Sequence, residues 1–239
     1  MTRPAVRIVG DSAPLRRLSA LTRLDPTARD ALAAAIAEQR AISAQRELIR
    51  EGAEIARPML LVQGWAARAR ILPDGRRQFM SFVLPGDLIG ECRQPRPIAS
   101  SSVVTLTDTT ICTPPPGAHF PTLAEAYAIS GAVEEAYLLA HITRLGRMSA
   151  QERIADLFLE LRERLDLAGL TNGDTYALPV TQETLADALG LTSVHVNRML
   201  QELRRQGDLR WQQGQVQLLH SDRLADRLGR MPVKVSAAD

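Results

Sequence analysis

The segment from Thr181 to Leu219 limits the possible folds more than any other part of the chain. A first predicted helix begins after Thr181, carries its apolar residues on one face, and ends at Gly190, which can adopt the left-handed conformation of a tight turn. A second predicted helix is capped by Thr192, and its apolar residues again share one stripe. Two short amphipathic helices joined through a glycine turn are typical of a helix-turn-helix.

The residues that follow strengthen this interpretation. Leu209 to Gln212 and Gln215 to Leu219 flank the dipeptide Gln213-Gly214, which predicts a β-hairpin. A hairpin directly behind a helix-turn-helix is the wing of a winged variant. The alternative is a generic helical pair that packs in the core and has no binding function, and the hairpin argues against it.

The outward face of the second helix carries side chains that suit double-stranded DNA. Arg198 can pair with guanine O6 and N7 and is the main candidate for base reading, with Asn197 and Ser193 next. Val194 cannot hydrogen-bond, but it can touch a thymine methyl group. Arg204 adds to a locally basic face. Phosphate contacts are expected from Thr181, Gln182, Thr192 and His195.

The sequence pattern changes in the region from about Ala41 to Thr113. Short apolar or alternating runs are separated by turn signals, which predicts a β-sandwich or β-roll. Asp74-Gly75 is the expected tip of a hairpin. The predicted strands of this part are Met59 to Val62, Trp65 to Leu72 and Gln78 to Leu84.

A long helix is predicted from Thr122 to Met148, with apolar residues on more than one side. This pattern is typical of a helix that packs both on its own β domain and on a partner helix in a dimer. The alternative is a helix that is buried within a monomer. Ser149 with Glu152 forms a capping-box pattern, so a new helix and a new domain begin there.

Composition excludes several classes of protein. The two cysteines, Cys92 and Cys112, are too few for a disulfide framework or a four-cysteine metal site. The chain has no long apolar span and no signal peptide, so we expect a cytoplasmic protein with no membrane partner. Paired carboxylates, nucleophile motifs and phosphate-binding glycine loops do not stand out, so we expect no enzyme.

At the residues Thr181 to Leu203 the sequence resembles the Crp/Fnr superfamily of bacterial transcription regulators. Upstream, Pro85 to Glu91 reads Pro-Gly-Asp-Leu-Ile-Gly-Glu and is similar to the signature of the superfamily's cyclic-nucleotide-binding-type β-roll, and Val103 to Asp108 is similar to the strand that follows. The resemblance implies an α+β fold with a β-roll sensor domain (1–121), a dimerisation helix (122–148) and a winged helix-turn-helix domain (149–239). It also implies a homodimer that reads a pseudo-palindrome and recruits RNA polymerase.

The resemblance also bears on the effector. Nucleotide-binding members follow their Gly-Glu with an Arg-Ser pair that holds the cyclic phosphate, and this pair falls at Ala99-Ser100 here, so cyclic AMP is not expected to bind. An unidentified small molecule, or no effector at all, remains the expectation. The candidate effector-pocket residues are Gly90, Glu91, Ser100 and Ser101.

Metal and redox effectors can be weighed in the same way. No cysteine precedes Cys92, which excludes the four-cysteine iron–sulfur cluster of the Fnr branch. Haem is not expected, although Cys92, Cys112, His119 and His141 are available as ligands. A redox role for Cys92, beside Arg93 and Arg96, stays open. The competing function is a ligand-binding or partner-binding module whose helix-turn-helix mediates protein contacts.

Overall fold

The computed structural model describes residues 12–91 and 96–235. The N-terminal part contains two helices, α1 (Ala13–Leu21) and α2 (Pro26–Ala37), followed by eight strands. These strands are β1 (Arg40–Ile42), β2 (Glu47–Ile49), β3 (Met59–Gln63), β4 (Ala66–Ile71), β5 (Arg77–Val83), β6 (Leu88–Ile89), β7 (Ser102–Thr105) and β8 (Thr109–Cys112). The strands predicted around residues 59, 65 and 78 are therefore confirmed to within two residues.

Strands β1 to β8 form a β-roll of two antiparallel sheets, ordered β1-β8-β3-β6 and β2-β7-β4-β5. Apolar side chains from both sheets, such as Leu61 and Val103, fill the space between them. The hairpin predicted at Asp74-Gly75 is confirmed: it joins β4 to β5, and Gly75 takes a φ of 83°. Helix α1 was missed in the sequence; its Leu15 and Leu18 pack on β3 and on the long helix that follows the roll.

The C-terminal part begins with that long helix, α3 (Pro121–Arg147), as predicted. The capping box at Ser149 is also confirmed, since Glu152 Oε2 accepts from the Ser149 N–H at 2.7 Å and the Ser149 hydroxyl accepts from the Glu152 N–H. The remaining elements are α4 (Ala150–Leu167), β9 (Thr171–Asn172), β10 (Thr175–Ala177), α5 (Gln182–Leu189), α6 (Ser193–Arg205), β11 (Leu209–Gln212), β12 (Gln215–Leu218) and α7 (Ser221–Leu228).

Two short segments differ from what their sequence predicts. The sequence from Tyr176 to Val180 predicts a short strand, but β10 ends at Ala177, because Pro179 has no N–H to donate to a continuing ladder. The sequence Thr171-Asn172-Gly173-Asp174 predicts only a turn, but its first two residues form the short strand β9, which pairs with β10. Together β9 to β12 form one antiparallel sheet, ordered β11-β12-β10-β9, beside the helices of this part.

The roll and the C-terminal part pack on each other through a shared apolar core. Trp65 and Phe82 of the roll join the same buried cluster as Leu157 of α4 and Leu185 of α5. Of the helices described, none combines the length and the apolar character needed to cross a membrane.

Candidate DNA-binding surface and roll cavity

The helix-turn-helix is built by local hydrogen bonds that the sequence anticipated. The Thr181 hydroxyl accepts from the Thr184 N–H at 3.1 Å and caps α5, and the Thr192 hydroxyl accepts from the His195 N–H at 3.2 Å and caps α6. Gly190 ends α5 with a φ of 63°, a left-handed conformation that glycine adopts without strain. Both predicted caps and the predicted glycine turn are confirmed.

The buried and exposed sides of α6 separate cleanly. Val196, Leu200 and Leu203 are fully buried against α4 and α5. On the opposite side Ser193, Val194, Asn197 and Arg198 are exposed, and 78% of Val194 is open to solvent. An apolar residue this exposed in the first turn, among polar neighbours, fits a surface that is covered when a partner binds.

Arg198 differs from the other arginines of α6. Arg205 pairs with Glu202, and Arg204 donates to the carbonyl oxygen of Trp211 at 2.8 Å. Within residues 12–91 and 96–235, Arg198 has neither a hydrogen-bond nor an ion-pair partner. Its guanidinium is therefore available for a ligand outside the chain, whereas Arg204 attaches the wing to α6 in addition to any DNA contact.

The wing is the hairpin β11–β12, as predicted. Its turn residues Gln213 and Gly214 have φ values of 50° and 72°, the two positive values that a tight type I′ turn requires. Arg210 was not predicted as a site residue, and it is exposed on β11. The alternation of buried Leu209, exposed Arg210, half-buried Trp211 and exposed Gln212 is the signal that could have found it.

Arg153 on α4 was also missed, and it holds the helix-turn-helix in place. Its Nη1 donates to the carbonyl oxygen of Leu189 at 3.0 Å and its Nε to that of Met148 at 2.9 Å. These carbonyls lie at the C-terminal ends of α5 and α3, where backbone acceptors lack partners within the helix. From the roll side, the Gln78 amide donates to the Ala188 carbonyl at 3.0 Å, and Arg77 pairs with Asp187 at 2.7 Å.

A cavity of about 1250 Å³ lies between the roll and α3. All four predicted pocket residues line it: Gly90, Glu91, Ser100 and Ser101. Most of the remaining wall is apolar, with Ile49, Ile55 and Leu88 among its members. The structure thus brings the predicted residues together around one open cavity.

The charged side chains of this cavity are mostly engaged. Arg68 of β4 donates to the two carboxylate oxygens of Glu134 of α3 from Nε and Nη2, at 2.5 and 3.1 Å, and Arg96 pairs with Glu54 at 2.7 Å. Arg57 is exposed at the lining and has no hydrogen-bond or ion-pair partner among the residues described. Ala99 is buried in the wall and supplies no cation.

The candidate haem and redox residues are dispersed. Cys112 is buried at the end of β8, and burial raises the pKa of its thiol to about 11. Burial, with the neighbouring Arg144, lowers the pKa of His141 to about 4. Among the residues that the structure describes, no cluster of three or more His, Cys, Asp and Glu side chains could hold a metal ion. Cys92 and Arg93 lie outside the described residues.

Comparison with known proteins gives consistent matches over both halves of the chain. Residues 39–124 match the cyclic nucleotide-binding domain, and residues 152–227 match the Crp-like helix-turn-helix domain. The nitrogen fixation regulation protein FixK of Bradyrhizobium diazoefficiens is 33% identical over 69% of this chain and 70% of its own length. The transcriptional activator protein FnrL of Cereibacter sphaeroides is 32% identical over 62% of each chain. The structure of FixK2 from Bradyrhizobium japonicum superposes with a TM-score of 0.68 at 27% identity, over 82% of this chain and 98% of that one.

A β-roll joined by a long helix to a winged helix-turn-helix with an unpaired arginine on its recognition face defines a DNA-binding transcription regulator. With the sequence matches, the assignment becomes specific: the chain belongs to the Crp/Fnr superfamily of transcription regulators. Members of this superfamily bind DNA and act as dimers, and it is a family of regulators and not of enzymes. The expected fold class and general function are confirmed, while the domain boundaries at 121/122 and 148/149 stay predictions.

Proposed function

We propose that this chain acts as a homodimer that places α6 of each protomer in the major groove of a pseudo-palindromic DNA site. The observation that carries this proposal is the exposed guanidinium of Arg198, which has no partner among the residues that the structure describes. It stands in the second turn of α6, on the exposed side formed with Ser193, Val194 and Asn197. Arginine in this position can bind guanine O6 and N7 together, which no other base presents.

The test compares Arg198→Ala with Arg205→Ala, using a duplex that the wild-type protein selects from a random library. Loss of a bidentate guanine contact costs about 1–3 kcal/mol and relaxes the preference at one base position. Arg205→Ala removes an arginine of the same helix that is already paired with Glu202, so we expect a smaller effect without a change in base preference. If Arg198→Ala keeps both affinity and base preference, α6 is not the reading helix, and a protein-contact role for the motif becomes the better explanation.

The second copy is proposed to pack along α3. Exposed residues repeat on this helix at alternating spacings of four and three, the a/d pattern of a two-stranded coiled coil. Leu139 and Ile142 in this stripe are 59% and 66% exposed, although both are large and apolar. The stripe, here called the α3 seam, consists of Ala128, Ala132, Glu135, Leu139, Ile142 and Gly146.

Sedimentation of Ile142→Glu tests the seam. A glutamate facing its own copy across a coiled coil repels it and is desolvated, so we expect the dimer to dissociate. Ile71→Glu is the matched control, because Ile71 is 68% exposed at the tip of the β4–β5 hairpin, away from the seam. A dimer that survives Ile142→Glu but not Ile71→Glu would move the interface to the roll.

For the cavity we propose a small-molecule effector other than a cyclic nucleotide, with neither haem nor an iron–sulfur cluster. The support is Ala99, which offers no guanidinium to a phosphate, and Arg96, which is already paired with Glu54. Calorimetry with cyclic AMP and cyclic GMP tests this, and micromolar binding of either would contradict it.

We also propose RNA polymerase as a partner of the DNA-bound dimer, by analogy with the activator FnrL. Transcription in vitro from a promoter that carries the selected site tests this partner. Transcript levels that do not respond to the protein, when the site is occupied, would contradict it.

A further inference from the structure

Helix α4 carries four charged residues on one face, at spacings of three or four along the helix: Asp156, Glu160, Glu163 and Arg164. All four are paired with charged residues on other elements or with each other, and most are buried. The resulting network, called the junction network below, consists of Arg17, Asp87, Arg144, Asp156, Glu160, Glu163, Arg164 and Arg230. It holds four cations and four carboxylates.

One end of the junction network attaches α4 to the roll. Asp87, in the turn between β5 and β6, receives Arg17 of α1 and Arg164 of α4, each at 2.8 Å. Arg164 also donates to the carbonyl oxygen of Phe82 at 2.8 Å. Burial alone would raise the pKa of Asp87, but the two guanidinium groups and the Leu84 N–H hold it below its usual value. The carboxylate is therefore charged where roll and α4 meet.

The other end attaches α4 to α3 and to the C-terminal segment. Arg144 of α3 is fully buried and binds Asp156 at 2.7 Å and Glu160 at 2.5 Å. Arg230 binds Asp156 at 2.6 Å and Glu163 at 2.9 Å. Helix α4 is thus joined by charge pairs to three other parts of the chain, and α6 packs directly on it.

The junction network also touches the wall of the cavity. Arg17 donates from Nη1 to the Ser130 hydroxyl and to the Gly86 carbonyl, both at 3.0 Å, and Ser130 lines the cavity. Leu88, next to Asp87, lines the cavity too, and its carbonyl accepts from Arg68. Arg17 therefore connects Ser130 in the cavity wall to the pair Asp87–Arg164 through one hydrogen bond and one ion pair.

We infer that Asp87 and Arg164 are positioning residues for DNA binding: their ion pair fixes α4 on the roll and so fixes α6 relative to the second protomer. The inference rests on the proposed function, in which two copies of α6 read one site. In the arrangement described, Val194, Asn197 and Arg198 are uncovered, so the pair does not hide the recognition face. Breaking the ion pair therefore does not expose more of the recognition face. It instead allows the two copies of α6 in the dimer to adopt a wider range of relative positions.

Half-sites about one helical turn apart accept only a narrow range of such positions. The apparent affinity falls in proportion to the fraction of dimers that are competent to bind. We therefore expect weaker binding to the correct site and, more specifically, a weaker penalty when the distance between the half-sites is wrong.

The experiment uses the full chain with Asp87→Asn, Arg164→Gln and both together. The probes are the selected duplex and the same duplex with one base pair inserted at its centre. Asp208→Asn is the matched control, because Asp208 is buried to a similar degree, 7% exposed against 8% for Asp87, and pairs with Arg227 inside the C-terminal part. Circular dichroism establishes that each variant is folded under the assay conditions.

Each single variant should lose about tenfold in affinity for the correct duplex if a tenth of the dimers stay competent. The ratio of affinities between the correct and the lengthened duplex should shrink, and the double variant should resemble the singles, because the two residues act as a pair. Asp208→Asn should keep the wild-type ratio. Should Arg164→Gln fail to fold, Arg164→Lys keeps the charge but offers one nitrogen in place of the two that bind Asp87 and Glu160, and it should reduce the same ratio to a smaller degree.

An unchanged ratio in both single variants would overturn the inference, as would tighter binding to the correct duplex. A ratio that falls equally in Asp208→Asn would also overturn it, since general destabilisation would then explain the effect. If instead the wild-type protein selects no duplex, or Arg198→Ala keeps its base preference, the proposed function itself fails. The two failures are therefore separable.

Discussion

Replacing Arg144 by methionine should show how strongly the junction network depends on charge balance. Arg144 is 0% exposed and binds two buried carboxylates, Asp156 and Glu160. Methionine replaces the aliphatic part of the side chain but leaves three cations against four carboxylates. Removing one partner of a buried pair costs about 3–5 kcal/mol of unfolding free energy. Because Asp156 keeps Arg230 and Glu160 keeps Arg164, we expect the lower end, about 3 kcal/mol.

The double variant Arg144→Met with Glu160→Gln restores the balance at three against three. It should be more stable than the single variant by about 1 kcal/mol or more, since an unpaired buried charge costs more than a neutral amide. Urea unfolding at one fixed protein concentration measures both values. Arg147→Met, at the exposed end of the same helix, should change stability by no more than about 0.5 kcal/mol. A loss below about 1 kcal/mol for Arg144→Met, or a double variant less stable than the single, would refute the reasoning.

Three further predictions follow from local contacts. Thr192→Ala removes the cap of α6 and should cost about 1 kcal/mol in urea unfolding, whereas Thr192→Ser should keep most of the stability. In a Cys92→Ser variant, Cys112 should react with a thiol reagent at pH 8 far more slowly in the native than in the unfolded protein. The reason is that its thiol is buried and has a pKa of about 11. Fast labelling of the native protein would contradict this. Hydrogen bonds from Thr27, Ala28 and Thr122 lower the pKa of Asp25 from 3.8 to about 2, so its contribution to stability is complete above pH 3.8 and is lost as the pH falls towards 2. Asp25→Asn should therefore flatten the pH dependence of Tm in that window.

The helix-turn-helix could be predicted from sequence because its determinants are local. Thr181, Gly190 and Thr192 act within a few residues of themselves, and the apolar stripes repeat at helical spacing. Strand positions in the roll were found for the same reason. The pairing of β1 with β8 and of β2 with β7 joins residues more than fifty positions apart, and the short, largely exposed strands β1 and β2 have no hydrophobic alternation to reveal them.

The burial of charged residues could not be predicted from the sequence either. Asp156, Glu160 and Arg164 have the spacing of an ordinary solvated helix face, yet all three are buried. Their burial depends on charged partners from α3, the β5–β6 turn and the C-terminal segment, which the local sequence of α4 does not reveal. Helix α1 was missed for the same reason. Its Arg17 is buried, so the sequence of this amphipathic helix resembles that of a polar N-terminal segment.

Helix α3 carries residues of the cavity wall, of the α3 seam and of the junction network. Gly131 lines the cavity, Leu139 lies in the seam, and Arg144 enters the network; Gly131 and Arg144 are about 20 Å apart at 1.5 Å per residue. A ligand that binds the cavity can shift the dimer or the DNA-binding arrangement only if its affinity differs between their states. Linkage then requires the reverse effect, so that dimerisation or DNA binding changes the affinity of the cavity by the same factor. A small molecule that fills the cavity but leaves both the dimer dissociation constant and the DNA affinity unchanged is therefore an occupant of the site and not an effector.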